Sequence, residues 1–291
     1  MATTTSANLY RPEVWEDMAQ AEFVGKAVVA NAALQDDVLV GSPGDTVDFP
    51  KWDALTDLAD LTEGVAMVPE ALNQSASKAT IKEAGKAVEI TDKAILTGLG
   101  DPQAEAIRQF GILAARKVDG DLITAATATV TNAFTRPDGS NVGNSAPLTK
   151  TLGAGNTALT WSIIVDSIAM FGDDFDLTDV YGMFVRSDAI AAVNKDSQFI
   201  AAAQTQTGND IIRRGFLGQI GGMPIFVTDR LPARTSMILK RNALGLLYKR
   251  RPVVEQDRDI LKRTNVVTTN LHYATKRLND KGVVVITTSA S

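Results

Sequence analysis

The most regular hydrophobic pattern in this chain has the period of a helix. Apolar residues recur every three or four positions from Ile107 to Ala125, and Asp101 and Pro102 precede them. An aspartate at that position can accept the free N–H groups of the first turn, and a proline there needs no N–H of its own. The pattern predicts a helix from about Pro102 to Ala128, roughly 40 Å long, whose apolar stripe a sheet or other helices must cover.

Two stretches nearer the N-terminus have the alternation of strands. Val47 and Phe49 alternate with polar neighbours, and so do Val88 and Ile90, so we expect the two stretches to pair as antiparallel strands. Residues 53 to 78 between them are polar, acidic and weakly patterned. Because so long a connection is uncommon in a compact domain and usually functional, the sequence predicts a hairpin or loop that projects roughly 40 to 50 Å.

The rest of the chain predicts an N-terminal arm and a second lobe. Pro12 to Leu34 has a helical pattern, and residues 135 to 156 form a Gly-, Asn-, Ser- and Pro-rich separator. The order of helices and strands in the second lobe is typical of mixed α/β packing. Its predicted elements are a helix in 159–175, a strand in 180–187, a helix from Ser187, a strand in 223–229, and closing strands near 266–274 and 282–288.

Composition removes most catalytic and metal chemistry. The chain has 291 residues, no cysteine and one histidine, which excludes disulfides, thiolate nucleophiles, cysteine-rich zinc sites and two-histidine metal sites. His272 lies in an alternating stretch and no GxSxG elbow occurs, so we interpret it as structural. The chain begins without a basic region followed by an apolar stretch, and no apolar run approaches the length that spans a bilayer. We therefore expect a soluble, non-secreted protein without a cofactor.

Two clusters resemble binding sites without the required context. The glycines at 215, 218, 221 and 222 lead into a strand at Met223, where a phosphate-binding loop needs a helix. They predict a structural hairpin turn. The acidic group of Asp173, Asp174 and Asp176 lacks the glycine and the final glutamate of an EF-hand, so we expect a solvated loop and no metal site.

Charge is distributed unevenly along the chain. Residues 1 to 105 hold 7 Lys/Arg against 18 Asp/Glu, whereas residues 230 to 281 hold 13 against 4. Two solvated faces of one monomer would explain this. Contact between the acidic third of one copy and the basic third of another would explain it too, because complementary fields set partner and register. Nucleic-acid binding by Lys249, Arg250 and Arg251 ranks last, since the cluster has no regular aromatic interleaving and the chain is acidic overall.

Four stretches together resemble the major capsid proteins of tailed bacteriophages with the Hong Kong 97-type fold. They are GDTVDFPKW (44–52), GKAVEITDKAILTGLGDPQAEAIRQFGILAARKVDGDLI (85–123), IGGMPIFVTDRLP (220–232) and YATKRLNDKGVVVI (273–286). The resemblance implies an α+β fold with N-terminal arm, extended loop, long spine helix, peripheral lobe and axial lobe. It also implies a structural, non-enzymatic protein that forms the hexamers and pentamers of an icosahedral head around double-stranded DNA.

This resemblance assigns a part of the fold to each segment. It implies an arm in 1–40, the extended loop in 41–92, a peripheral lobe with the spine helix in 93–155, an axial lobe in 156–248, and a return to the peripheral lobe in 249–291. We hypothesise that acidic loop residues meet basic residues of neighbouring copies, where each exposed pair contributes only about 0 to 1 kcal/mol. The acidic residues are Asp53, Asp57, Asp60 and Glu63, and the basic ones are Arg250, Arg251, Arg258 and Lys262.

Further partners and rival functions follow from the same resemblance. An arm that starts almost at Met1 suggests a separate scaffolding protein, and a portal and a decoration protein are further expected partners. The packaged DNA would be held without sequence-specific contacts, and the shell would assemble in the host cytoplasm and become part of the virion. Rival interpretations are an encapsulin-like nanocompartment shell, a tail or baseplate component, and an α/β enzyme that uses a cleft in the second lobe.

Overall fold

A computed structural model describes most of the chain. The described residues are 28–37, 40, 44–52, 55–58, 60–61, 63–64, 66–97, 101–129, 136–139, 146–152, 158–172, 176, 178–195, 219–220 and 223–288. The helices are α1 (Asp92–Thr97), α2 (Pro102–Thr127), α3 (Trp161–Ala169) and α4 (Ser187–Lys195). The strands are β1 (Leu34–Asp36), β2 (Thr46–Trp52), β3 (Gln74–Thr80), β4 (Lys82–Thr91), β5 (Leu148–Thr151), β6 (Val180–Val185), β7 (Gln219–Ile220), β8 (Met223–Val227), β9 (Thr235–Lys240), β10 (Leu244–Asp259), β11 (Thr264–Arg277) and β12 (Val283–Thr287). None of the described helices is long and apolar enough to cross a membrane.

Helix α2 begins where the sequence predicts. The Asp101 carboxylate accepts hydrogen bonds from the N–H groups of Gln103 and Ala104, at 2.9 and 3.2 Å, and so satisfies two donors that the first turn leaves free. The buried stripe of the helix includes Ile107, Phe110, Ala114, Val118 and Leu122. This stripe packs on β10, β11 and β4, which confirms that a sheet covers it.

That sheet has four strands, in the order β1-β10-β11-β4. β10 and β11 form a long antiparallel hairpin that runs from Leu244↔Arg277 to Asp259↔Thr264, with register shifts between Tyr248 and Val253. β4 pairs antiparallel with β11 over its whole length, and β1 adds a short parallel strand on the other edge. The sheet therefore brings together segments that lie more than 150 residues apart in the chain.

The second sheet has the order β5-β12-β9-β6-β8-β7 and is buried on both faces. Val283 and Val285 of β12 belong to the core shared with α2 and the first sheet. Val284 and Ile286, on the opposite face, belong to a core that includes residues of α3 and α4. The alternation that defines a strand thus separates two cores, and the predicted helix–strand–helix order of this lobe is confirmed.

Two adjacent connections join the sheets. β9 leads into β10 through residues 241–243, and β11 leads into β12 through residues 278–282. The carbonyl of Ala243 in the first connection accepts the N–H groups of Leu278 and Asn279 in the second, at 2.9 and 3.2 Å. A Cβ on Gly282 would lie only 2.8 Å from that of Ala243, so the absence of a side chain at 282 allows the two connections to touch.

The predicted pairing of the N-terminal strands needs correction. The stretch with Val47 and Phe49 is β2, as expected, but its antiparallel partner is β3, through pairs from Thr46↔Thr80 to Trp52↔Gln74. The stretch with Val88 and Ile90 is β4, which pairs with β11. The projecting hairpin is therefore formed by β2 and β3, and β4 anchors its base in the body of the fold.

The N-terminal helix prediction is only partly inside the described structure. Residues 12–27 lie outside the described residues. At the end of the predicted segment, Ala30–Ala32 form a 3-10 turn and Leu34 already begins β1, so the helix does not extend to Leu34. The reason is that the backbone is held by contacts with α2 and β10, which replace the bonds of a continuing helix.

Candidate functional site

The loop between β2 and β3 exposes an unusual number of large apolar side chains. Its described residues include Leu58 at 103% exposure and Val68 at 92%. Other loop residues with more than half of their surface exposed are Leu55, Leu61, Met67 and Leu72, and Trp52 at the end of β2 is exposed as well. A soluble monomer gains nothing from presenting so many apolar groups to water, and contiguous exposed apolar surface marks interaction sites. We call residues 53–73 the hairpin loop.

The same loop is strongly acidic. Between Lys51 and Lys78 the sequence has five Asp/Glu and no Lys/Arg. One of them, Glu70, accepts hydrogen bonds from the backbone N–H and the hydroxyl of Thr56, at 3.2 and 2.6 Å. This contact ties the two arms of the loop together near its base. The predicted contact residues Asp57, Asp60 and Glu63 are exposed beyond that tie, and Asp53 lies outside the described residues.

Lysines fasten the root of the hairpin to the body. The Lys249 ammonium donates to the carbonyl of Gly44, just before β2, and the Lys276 ammonium donates to the carbonyl of Lys78 in β3 at 3.2 Å. These two lysines belong to the adjacent strands β10 and β11. Each side of the hairpin thus has its own contact with the first sheet, which fixes the direction in which the hairpin leaves the body.

Asp121 of α2 fastens the beginning of β4. Its carboxylate accepts from the Tyr273 hydroxyl at 2.8 Å and from Lys117 at 3.0 Å, and Lys82 lies 3.5 Å away. Burial on its own would raise the pKa of Asp121, but the hydrogen bonds from Tyr273 and Lys117 and the two lysine charges hold it below its ordinary value. Burial and the bond to Asp121 raise the pKa of Tyr273, so this network stays a neutral phenol bonded to a carboxylate.

All four predicted basic contact residues form ion pairs inside this chain. Arg250 pairs with Glu255 and Arg251 with Asp37, both at 2.8 Å, and Arg258 pairs with Asp92 at 3.0 Å. Lys262 lies 3.6 Å from Glu89 and 3.8 Å from Asp259. These basic side chains keep between 41% and 64% of their surface exposed, so they are accessible from outside as well as paired within.

The tip of the β10–β11 hairpin is a surface that the sequence analysis missed. Ile260 and Leu261 are 77% and 96% exposed. The Asp259 carboxylate accepts the N–H groups of Leu261 and Lys262, both at 3.0 Å, which closes the turn. A pair of apolar residues between two charged ones in a turn is the signal that would have found it.

The remaining candidates have structural positions. His272 lies in β11, as predicted, with Nε2 3.6 Å from the Glu83 carboxylate. β7 and β8 pair antiparallel; the glycines at 215, 218, 221 and 222 lie outside the described residues, so the turn assigned to them stays a prediction. Asp176 accepts from the N–H and hydroxyl of Thr178. Within the described residues, no three His, Asp or Glu side chains are grouped to hold a metal ion.

Comparison with known proteins gives a consistent result. The sequence pattern of the phage capsid protein family matches residues 74–286. The chain is 30% identical over 284 residues to the major capsid protein of Staphylococcus phage phiMR11, which covers 98% of this chain and 95% of that protein. Its fold is similar to the capsid of cyanophage P-SCSP1u, with a TM-score of 0.70, 14% identity and coverage of 91% and 89% of the two chains. The mature capsid of bacteriophage PhiM1 has a TM-score of 0.66 at 13% identity, with coverage of 100% and 91%.

Proposed function

This chain belongs to the phage capsid protein family, and on that premise we propose that its copies join as hexamers and pentamers into an icosahedral head around double-stranded DNA. As the major capsid protein of a phage, it is a structural protein whose copies associate with one another in the capsid of the virion. The observation that carries the finer proposal is the hairpin loop, which is apolar, acidic and exposed on the subunit described here.

The hairpin loop has the character of a surface that a neighbour covers. Burying one leucine side chain contributes roughly 1.5 to 3 kcal/mol, and Leu58, Leu61 and Val68 all remain exposed. The root contacts of Lys249 and Lys276 hold the hairpin in one direction, so little freedom is lost when it binds. We therefore assign the hairpin loop the role of lying over an adjacent subunit.

The charged residues would set the register of that contact. Asp53, Asp57, Asp60 and Glu63 of one copy would meet Arg250, Arg251, Arg258 and Lys262 of another. The basic residues would then share their charge between a partner in their own chain and one in the neighbour, as their exposure allows. Each exposed pair contributes about 0 to 1 kcal/mol, so only the sum of many such pairs around the shell would favour one register.

The sheets correspond to the lobes of the shell subunit in this proposal. The first sheet with α2 would form the peripheral lobe, and the second sheet with α3 and α4 would form the axial lobe. The segments 93–155, 156–248 and 249–291 contribute to these lobes as the resemblance implies, with three exceptions. β5 and β12 pair within the second sheet and are assigned to the axial lobe, whereas residues 244–248 of β10 pair within the first sheet and are assigned to the peripheral lobe. Residues 1–40 would serve as the arm, although 28–36 pack in the body of the fold, and 41–92 would serve as the extended loop, with β4 anchored in the first sheet.

Assembly would take place in the host cytoplasm with help from other proteins. A separate scaffolding protein would set the size of the shell, and a portal would occupy one vertex. A decoration protein would bind the finished surface. DNA would be enclosed without sequence-specific contacts, because backbone charge dominates such binding. An encapsulin-like compartment is the alternative within the same fold, and it would enclose proteins.

Electron microscopy of the full chain, produced with the phage's scaffolding protein, tests this function. We expect closed icosahedral particles whose pentamers and hexamers are resolved. Soluble monomers, tubes or open rings would contradict the proposal, and particles that package protein cargo in place of DNA during infection would favour the encapsulin-like alternative.

Two variants test the contact surfaces. Leu58→Ser with Leu61→Ser should reduce the yield of particles without unfolding the subunit, whereas Val165→Ser, an exposed apolar position on α3, serves as the matched control. Arg250→Glu with Arg251→Glu should slow or abolish assembly, with Lys150→Glu as the charge control. If particles form normally at moderate salt with both arginines reversed, the charge hypothesis is wrong.

A further inference from the structure

A carboxylate buried in the middle of α2 receives the N-terminal part of the described chain. Asp119 is 4% exposed. One of its oxygens, Oδ2, accepts the N–H of Val28 at 3.0 Å, and the other, Oδ1, accepts the N–H of Ala30 at 3.1 Å. Both oxygens are thus used by the backbone of a segment that lies 89 or more residues away in the chain. We call Val28–Asp37 the docking segment.

The docking segment has other contacts with the body of the fold as well. Its strand β1 has three residues and pairs with the edge of β10. The Asn242 N–H donates to the carbonyl of Ala32 at 3.1 Å, and Asp37 forms the exposed ion pair with Arg251. Most of the remaining stabilisation is apolar and comes from small side chains. These are Val29, Ala30, Ala32 and Ala33, all buried in the core beneath the segment.

Asp119 is the contact that fixes individual backbone N–H groups of the docking segment with a buried side chain. Burial raises the pKa of its carboxyl, and the backbone N–H groups and the nearby charge of Arg230 compensate for this only in part. Among the described residues, no lysine or arginine forms an ion pair with it. A side chain that carries a burial cost without an ion-pair partner is best explained by the N–H groups that it receives, since those donors would otherwise be buried without acceptors.

We propose that Asp119 is a latch for the docking segment: its two oxygens hold the backbone of Val28 and Ala30 against α2, and their loss frees the segment with its edge strand β1, while the other strands of both sheets stay paired. The sheets do not depend on this contact, because α2 is also held by its apolar stripe and by the bonds of Asp121 to Tyr273 and the lysines. The docking segment can therefore lose its order while the rest of the subunit stays folded.

Hydrogen exchange of the full, unassembled chain tests the latch directly. In Asp119→Ala, the amides of Val28 and Ala30 lose their acceptors, and we expect the peptide that covers residues 28–33 to exchange about tenfold faster. Peptides from β11 and from the first half of α2 should exchange at the wild-type rate. Asp119→Asn keeps one acceptor oxygen and should accelerate the same peptide less.

Asp121→Asn is the matched control, because Asp121 lies two residues away on the same helix and does not contact the docking segment. Faster exchange of residues 28–33 in the Asp119 variants alone supports the latch. Wild-type exchange of this peptide in both Asp119 variants, or equal acceleration by Asp121→Asn, overturns it. If Asp119→Ala does not fold, Asp119→Asn decides, since the amide has nearly the same shape and carries no charge.

The consequence for assembly rests on the proposed function and is measured separately. A freed docking segment would leave the arm without a fixed origin, so the Asp119 variants should give fewer particles than Asp121→Asn under identical conditions. Because exchange is measured before assembly, a failure of the latch and a failure of the shell function give different results.

Discussion

Replacing Arg277 should destabilise the body of the fold through several contacts at once. Arg277 ends β11, and its side chain is 3% exposed. Its Nη1 lies 3.2, 2.8 and 2.6 Å from the carbonyl oxygens of Ala125, Ala126 and Ala128, at the C-terminus of α2. Its Nε donates to the Asp280 carboxylate at 2.7 Å. One guanidinium therefore caps the long helix, complements its dipole and pairs with the connection to β12.

The magnitude follows from what the substitution leaves behind. Arg277→Ala removes the cation that pairs with Asp280 and the donor to the carbonyls at the helix end, and deleting one partner of a buried pair costs about 3 to 5 kcal/mol. Asp280 is 24% exposed, so water compensates in part and we expect the lower end, about 3 kcal/mol. At about 2 °C per kcal/mol for a chain of this size, the midpoint of thermal unfolding should fall by about 6 °C.

Urea and thermal unfolding of the unassembled chain, followed by circular dichroism, measure this effect. Arg277→Lys keeps the charge but not the planar set of donors, so its loss of unfolding free energy should be about half that of Arg277→Ala. Asp280→Asn leaves the helix cap in place and should cost only about 1 kcal/mol. A loss of less than about 1 kcal/mol for Arg277→Ala would refute the argument that this side chain joins α2 to the second connection.

Three further predictions concern single sites. In unfolding experiments across pH, Asp119→Asn and Asp121→Asn should change the pH dependence of the free energy of unfolding in opposite directions. The pKa of Asp119 is raised in the folded protein, so its contribution to stability is present below its pKa in the unfolded chain and is lost as the pH rises through its folded pKa. The pKa of Asp121 is lowered, so its contribution is present above its pKa in the unfolded chain and is lost as the pH falls through its folded pKa. Gly182→Ala should lower the midpoint of urea unfolding, since its Cβ would lie 2.7 Å from the carbonyl of Pro224, a clash with a cost of about 1 to 3 kcal/mol. Asp101→Ala should cost about 0.5 to 2 kcal/mol in the same assay by removing the cap of α2.

Elements with a strong local signal were predictable from the sequence. Helix α2 combines a long apolar period with a capping aspartate, and the structure ends it within one residue of the predicted position. Strands β6, β8 and β11 are likewise visible as apolar or alternating stretches. In each case, the residues that define the element also bury its face, so local pattern and packing agree.

Elements defined by distant partners were not predictable. β3 buries Ser75, Ser77 and Ala79 on one face, and such small, largely polar residues give no hydrophobic alternation to recognise. β4 has the expected alternation, but its partner β11 follows about 170 residues later, and no local feature distinguishes that strand from β2. The positions of Asp57, Asp60 and Glu63 were predictable only as exposed loop residues, since their partners are not in the same subunit in our proposal.

The two adjacent connections between the sheets also have a mechanical consequence. A force that pulled the sheets apart would act on the apolar core that they share and on the connections at residues 241–243 and 278–282, which the Ala243 carbonyl links side by side. Hydrogen bonds loaded along such a pair must shear together, whereas bonds at a free edge open one at a time. The two sheets should therefore move together as one body under load, because bending about Ala243 and Gly282 would also have to open the core that the sheets share.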